Sequence, residues 1–201
     1  VEQDFYIGKY HVTQAEFKEV MGFNPSRFDS NPDNPVEWVT WFDAVMYCNK
    51  LSEAEGLGKY YQISDIKYDG DNIDSATVEI DEEAGGYRLP SEEEWEYAAR
   101  GGKDGKATVY AGSDNLDKVG WYNRKSVSAM PVGEKKANEL GIYDMSGNVL
   151  DWTNTRWSSL SSGVRGGSWC FYQWFCEVDF SYALNNSDKN YMLGFRISKT
   201  K

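Results

Sequence analysis

The sequence feature that most constrains the fold is an aromatic segment near the end of the chain. Seven of the fourteen residues from Trp169 to Tyr182 are aromatic, whereas 15% of the whole chain is aromatic. The segment follows Gly166 and Gly167 and runs on to Gly194. A glycine-flanked segment so rich in rings forms either a buried core strand or a contact surface. We expect mostly a contact surface, held at both ends by a rigid frame.

The first part of the segment has almost no polar side on which a chain could face water. Gln173 is the one polar residue in the run from Cys170 to Phe175. A loop cannot easily bury both of its sides, so some of these rings should be exposed. Exposed tyrosine and tryptophan are typical of recognition surfaces, because they offer a large contact area at a low cost in side-chain entropy.

The second part of the segment alternates in polarity. Cys176, Val178 and Phe180 are apolar, and the residues between them are polar, which predicts a strand with one inner face. We therefore predict one solvent-facing ligand-binding patch, with a core strand and a few surface aromatics as the alternative. The patch comprises Phe171, Tyr172, Trp174, Phe175, Phe180, Tyr182, Asn186, Asp188, Asn190 and Tyr191.

The charge balance restricts the kind of partner. The chain has 21 basic and 32 acidic residues, a net charge of −11 and a pI near 4.6. An acidic surface repels phosphate backbones, so no nucleic acid partner is expected. No apolar run reaches the length of a spanning helix. Because Val1 is not a native start, we expect a missing N-terminal segment, which is where any membrane anchor would lie.

The chain has few residues for thiol or imidazole chemistry. Three cysteines are too few for a disulfide framework, and one histidine excludes most histidine-based catalysis and metal binding. Cys48 recurs at helical spacing with apolar residues and is expected to be buried. His11 is expected to be a polar or partly exposed structural residue.

Local signals predict three helices. Thr13 with Glu16 and Ser91 with Glu94 have the spacing of capping boxes. A further helix should begin at Thr40 or Asp43 and end near residue 55. Strands are predicted over residues 4–12, and as a hairpin that pairs residues 60–63 with residues 77–80.

Several motifs occur in an order typical of one family. The chain resembles the formylglycine-generating, sulfatase-modifying-factor family over nearly its whole length. This resemblance implies an α+β, C-type lectin-like fold in a single domain of residues 1–201, with two or three helices, small and mostly antiparallel sheets and much loop. The motifs are Tyr10–Phe17, Asn34–Val36, Tyr87–Gly101, Gly141–Val149, Arg165–Trp169 and Gly194–Arg196.

The same resemblance bears on catalysis. The oxidising enzymes of this family carry one cysteine two residues after the aromatic of the Arg-Gly-Gly-Ser-aromatic motif, and a second five residues later. The corresponding positions here are Phe171 and Cys176, and Cys170 lies one residue early. Two thiols that act together on oxygen need both sulfurs within reach of one metal. A cysteine-dependent formylglycine-generating oxidase acting on peptide cysteine is therefore the alternative, and we expect no enzymatic activity.

A narrower resemblance fits the aromatic segment better. The chain resembles the variable proteins of diversity-generating retroelements. Those proteins have a C-type lectin frame that ends in a rewritten segment, and here an aromatic segment stands between intact frame motifs. This implies a hypervariable ligand-binding region at residues 165–196, a protein or other macromolecular ligand, and display at the cell surface. A structural or carbohydrate-contacting member of the family is a third possibility.

The resemblance also predicts one candidate metal site. Asp144, Asp151 and the carbonyls of Gly147 and Val149 occupy positions that resemble a calcium site of the enzymes. Oxygen ligands suit calcium. The two aspartates are equally well explained as turn and cap residues, and no other cofactor is expected.

Overall fold

The α-helices of the described residues lie before residue 120, and five of the strands follow residue 149; the computed structural model describes residues 1, 3–123 and 125–201. The class is the α+β class that the sequence predicts. The described helices are α1 (Gln14–Met21), α2 (Trp41–Ala54), α3 (Glu92–Ala99) and the short α4 (Leu116–Val119). The described strands are β1 (Phe5–Ile7), β2 (Tyr61–Asp69), β3 (Asn72–Ile80), β4 (Leu150–Arg156), β5 (Ser161–Arg165), β6 (Ser181–Asn185), β7 (Leu193–Phe195) and β8 (Ser198–Thr200).

The three longest helices each begin at a capping box. The hydroxyl of Thr13 accepts from the backbone of Glu16, and the Glu16 carboxylate accepts from the Thr13 N–H at 2.8 Å. Ser91 caps α3 in the same way. Thr40, one of the two predicted starts, caps α2 with Asp43. These side chains satisfy amides that a helix leaves without intrahelical partners, which explains why the spacing predicted the helix starts.

The strands form three sheets. β1 pairs with β8, β2 pairs with β3, and a four-stranded sheet has the order β6-β5-β4-β7. The sheets are mostly antiparallel, as the resemblance implies; the exception among the described pairs is β7, which runs parallel to β4, with Leu150 opposite Leu193. The β2–β3 hairpin is longer than predicted, and β1 is shorter than the predicted strand over residues 4–12, since β8 offers it three partners.

The main core lies between α1, α2 and the four-stranded sheet. Phe17 of α1 stacks on Tyr47 of α2 with ring centroids 5.6 Å apart, and Phe195 of β7 packs against both. The indole N–H of Trp41 donates to the carbonyl of Thr153 at 2.9 Å and so ties α2 to β4. Burial of such rings supplies most of the stability of a domain of this size.

Cys48 and His11 both lie in the interior. Cys48 is fully buried on α2, as predicted. His11 is also buried, so the expectation of a partly exposed histidine is wrong. Its Nε2 lies 3.1 Å from the carbonyl of Val149, which provides the buried ring with a hydrogen-bond partner. None of the helices in the described part of the chain is long and apolar enough to cross a membrane.

Candidate ligand-binding surface

The aromatic segment begins with a close approach of the chain to itself. Gly167 follows β5 and has a φ of 72°, in the left-handed region. A Cβ atom at Gly167 would lie 2.6 Å from the Cys176 sulfur and 2.6 Å from the Phe175 carbonyl oxygen. Glycine at this position is therefore what lets the loop after Phe171 fold back onto its own start.

Buried arginines hold both ends of the segment. Arg165 donates from Nη2 to the Glu96 carboxylate at 2.7 Å and to the carbonyl of Val178 at 2.8 Å. Arg196 is fully buried, and its Nε donates to Asp151 at 2.8 Å. Ion pairs of this kind, satisfied on several sides, fix the geometry of the frame.

Six rings of the segment form one continuous series of ring contacts, which we call the aromatic ladder. Two of its members, Phe171 and Tyr182, are partly buried and pack against the main core. Tyr172 stacks on Trp174 with centroids 4.7 Å apart and planes 15° apart, and both side chains are about half exposed, at 56% and 50%. The series continues from Trp174 to Phe175 at 5.9 Å, and from Phe175 to Phe180 at 5.0 Å. The complete ladder is Phe171, Tyr172, Trp174, Phe175, Phe180 and Tyr182.

The predicted strand over residues 176–181 is absent from this part of the described chain. A 3₁₀ turn spans Gln173–Cys176, and β6 begins only at Ser181. Cys176 and Val178 do face the interior, at 0% and 2% exposure, as the alternation suggested. The Val178 N–H donates to the carbonyl of Val109, outside any sheet. Alternation therefore identified the buried side correctly but not the backbone conformation.

The other predicted patch residues lie apart from the ladder. Tyr191 packs in a second ring cluster, 5.8 Å from Trp169 and 6.1 Å from Phe28. Asp188 and Asn190 are partly exposed, and their side-chain oxygens accept from nearby backbone amides at 2.9 and 3.0 Å. They shape the turn between β6 and β7.

Asn186 does not belong to the surface. It is 2% exposed, and its side-chain oxygen accepts from the Ser162 hydroxyl at 2.8 Å. Its carbonyl also accepts from the N–H of Trp41 at 3.0 Å. Prediction of an exposed Asn186 was wrong, because the residue binds β5 to the start of α2.

Sequence analysis missed the loop that carries Phe28. The residue lies in a stretch with prolines at positions 25, 32 and 35, and its ring contacts Trp169 and Tyr191. Glu37 fixes the backbone of this loop, because its side-chain oxygen accepts from the Phe28 N–H at 2.7 Å. Burial raises the pKa of Glu37 to about 7. The sequence signal for this contact is a glutamate, Glu37, directly after the Asn34–Val36 motif.

The cysteines are poorly arranged for catalysis. All three in the described chain are free thiols. Burial raises the pKa of the Cys176 thiol to about 12, so the reactive thiolate is strongly disfavoured. Cys170 is half-buried, with its sulfur 3.7 Å from the Met192 sulfur. The ring of Phe171 packs 5.0 Å from Phe175 and supplies no sulfur.

The residues of the predicted calcium site mostly have other partners. Asp151 accepts from Arg196 and from the Trp95 indole, both at 2.8 Å. Asp144 accepts from the Gly133 N–H, and the Val149 carbonyl faces His11. Burial raises the pKa of Asp144 to about 6 and lowers the pKa of His11 to about 4.

As placed, these carboxylate and carbonyl oxygens suit the guanidinium of Arg196 more than a calcium ion. Arg196 also donates to the carbonyls of Gly8 and Tyr143, both at 3.1 Å. One carboxylate oxygen on each of Asp144 and Asp151 is buried without a partner. No group of three or more His, Cys, Asp or Glu within the described ranges could hold a metal ion. Calcium binding stays a prediction, which calorimetric titration can test.

The fold defines a class of protein, and comparison with known families identifies it. This is a C-type lectin-like α+β domain of the formylglycine-generating type. The whole chain, residues 1–201, matches the model of the sulfatase-modifying factor enzyme 1-like domain. The chain belongs to that family.

Individual relatives differ in what their names say. The chain is 49% identical over 175 residues to chaperone protein LppX of Paenibacillus barcinonensis, across 74% of this chain and 61% of LppX. It is 36% identical over 184 residues to a formylglycine-generating enzyme of Streptomyces coelicolor, across 76% of this chain and 47% of the enzyme. The chain thus spans less than two thirds of either relative.

Solved structures are similar to this chain over almost its entire length. Treponema denticola variable protein 1 matches with a TM-score of 0.87 and 30% sequence identity, across 98% of this chain and 84% of that one. The two proteins therefore share the frame on which the aromatic segment is placed.

Proposed function

We propose that this chain is a non-enzymatic ligand-binding protein, and that the aromatic ladder is its contact surface for a protein or other macromolecule. The observation that carries the proposal is the contiguity of the six rings, with the stacked Tyr172 and Trp174 half exposed at one end. Such rings act as anchors when a partner removes them from water.

The frame beneath the ladder supports binding with little reorganisation. Gly167, the buried Cys176 and the Arg165 contact to Val178 fix the backbone that carries the rings. A ligand surface held in advance loses little entropy on binding. A hypervariable region requires that surface side chains can be exchanged while the frame is kept, and the exposed rings of Tyr172 and Trp174 meet this requirement.

The alternative, a formylglycine-generating oxidase, has less support. Phe171 stands where the resemblance places the first cysteine, and the remaining thiol at Cys176 has a pKa raised to about 12. Incubation with copper, oxygen and a cysteine-containing peptide tests this alternative. Conversion of the peptide thiol to an aldehyde, lost in Cys176→Ser, would establish it and contradict our proposal.

The similarity to Treponema denticola variable protein 1 supports a more specific function. We propose that residues 165–196 are a hypervariable region rewritten by a diversity-generating retroelement, and that the protein is displayed at the cell envelope or surface. A second copy of the coding segment near the gene, differing mainly at adenines, tests the first part. Fractionation of cells tests the second.

A chaperone is the second candidate, favoured by the 49% identity to LppX. An exposed aromatic surface also suits transient contact with apolar segments of an unfolded client. Suppression of aggregation of several unrelated unfolded proteins would favour this function. Tight binding to one folded partner would favour the variable binder.

Mutation of the ladder tests binding directly. Display libraries of short random peptides are selected against the wild type, against Tyr172→Ser/Trp174→Ser, and against the control Tyr68→Ser/Trp157→Ser. The control removes one tyrosine and one tryptophan of similar exposure, 63% and 53%, elsewhere on the surface. Peptides selected on the wild type should bind the control equally and the ladder variant at least tenfold more weakly. Equal binding to all three would overturn the proposal.

A further inference from the structure

A short acidic turn connects two rings of the ladder. The Phe180 N–H donates to the carbonyl of Glu177 at 3.1 Å, and this turn joins Phe175 to Phe180, whose rings touch at 5.0 Å. Because Cys176 and Val178 are buried, Glu177 and Asp179 lie on the outer side of the turn. Two carboxylates therefore stand beside the ladder.

The turn is fixed in place. The backbone of Val178 is held on both sides, because its N–H donates to the Val109 carbonyl and its carbonyl accepts from Arg165 at 2.8 Å. The Cys176 sulfur is packed against Gly167. The backbone that carries Glu177 and Asp179 thus needs little ordering when the turn meets a partner, which lowers the entropy cost of binding.

Neither carboxylate has a basic partner among the described residues, although basic side chains lie in and beside the segment. Those cations are paired elsewhere. Arg165 pairs with Glu96 and Lys189 pairs with Asp69, while Lys125 pairs with Asp117. Among the residues that the structure describes, Glu177 and Asp179 are therefore left without a neutralising cation, on a chain of net charge −11.

The stacked pair adds a second reason for a cation. Tyr172 and Trp174 are parallel and about half exposed. A guanidinium or ammonium group over the face of a tyrosine or tryptophan is attracted by the ring, and more strongly when a partner removes it from water. Rings and carboxylates together suit a ligand that combines apolar and basic groups.

We infer that the ladder's ligand is a basic, apolar-bearing polypeptide segment, in which arginine or lysine side chains meet Glu177, Asp179 and the faces of Tyr172 and Trp174, while neighbouring apolar side chains cover the rest of the ladder. This inference rests on the proposed binding function and specifies its partner. Complementary charge mainly sets specificity and association rate, and the rings supply most of the affinity.

The test uses the peptide selection described above, with the net charge of the selected sequences as the readout. Peptides selected on the wild type should be enriched in arginine and lysine next to apolar residues. Selection on Glu177→Gln/Asp179→Asn should lose that enrichment, while Glu82→Gln/Glu83→Gln, which removes two exposed acids elsewhere, should keep it.

Affinities of synthesised peptides complete the test. A selected basic peptide should bind Glu177→Gln/Asp179→Asn about fivefold more weakly than the wild type, and the difference should shrink at high salt. Selection of neutral or acidic peptides that still require Tyr172 and Trp174 would overturn this inference but leave the binding function intact. Selection that is indifferent to those two rings would overturn both.

Discussion

Arg196 and Asp151 form a fully buried ion pair, with the Arg196 Nε 2.8 Å from the Asp151 Oδ2. Asp151 lies on β4 and Arg196 directly follows β7, so the pair reinforces the parallel contact between these strands. Since the Trp95 indole also donates to Asp151, the pair joins α3 to the same point.

Removing one member of that pair should destabilise the frame strongly. We expect Arg196→Met to lower the free energy of unfolding by about 3–5 kcal/mol, because Asp151 would remain buried without its cation. Arg100→Ala, which removes a more exposed pair with Glu96, should cost less than about 1 kcal/mol. Urea unfolding of both variants measures the difference, and equal losses would contradict this role for Arg196.

Loss of the exposed rings should hardly affect folding. Tyr172→Ser/Trp174→Ser should change the free energy of unfolding by about 1 kcal/mol, because about half of each side chain is already in contact with water in the folded chain. Phe195→Ala empties a fully buried position and should cost about 3–5 kcal/mol. Thermal unfolding separates these outcomes. A large loss in the ladder variant would mean that the rings serve the core.

Gly167 should not tolerate a side chain. Gly167→Ala combines a positive φ with a Cβ that would overlap the Cys176 sulfur, and we expect a loss of about 3 kcal/mol. Gly141→Ala is the matched control, because Gly141 has a φ of 76° but open space around its Cβ. It should lose only about 1 kcal/mol. Similar losses would show that the close approach has no energetic effect.

Stability should depend on the ionisation of Glu37. The folded chain retains the Glu37 proton up to about pH 7, because burial raises its pKa, whereas the unfolded chain releases it near 4.5. Folding therefore takes up a proton between these values, so this contribution falls as the pH rises from 4.5 through 7, by up to about 3 kcal/mol.

Glu37→Gln isolates that effect from His11 and Asp144, which titrate in an overlapping range. The difference in unfolding free energy between wild type and variant should change across this window, and the variant should gain relative stability toward high pH. A difference that is constant from pH 4.5 to pH 8 would exclude a raised pKa at Glu37.

Local chemistry explains what was predictable from the sequence. Thr13, Thr40 and Ser91 set their helix starts through side chains three residues away, so no distant contact was needed. The parallel pairing of β4 with β7 was not predictable in this way, because it joins residues that are far apart in sequence. Exposure of Tyr172 and Trp174 agreed with the prediction because a loop has no second face to bury.

The errors at the site have the same origin. Asn186 and Asn190 are similar in sequence context, but the Ser162 hydroxyl and the Trp41 amide draw only Asn186 into the interior. His11 is buried because the Val149 carbonyl, 138 positions away, accepts its ring N–H. Spacing along the chain carries no information about such partners. Ligand binding by the ladder remains a prediction.

The burial of Asn186 limits how many versions of this protein can exist. If the segment is rewritten as proposed, a new residue at position 186 would leave the Ser162 hydroxyl without its acceptor. Rewritten genes that place a residue without an acceptor there would then encode less stable chains, whatever rings they carry outside. The useful repertoire is accordingly smaller than the number of codons open to change, and selection for folding would act on it before any selection for binding.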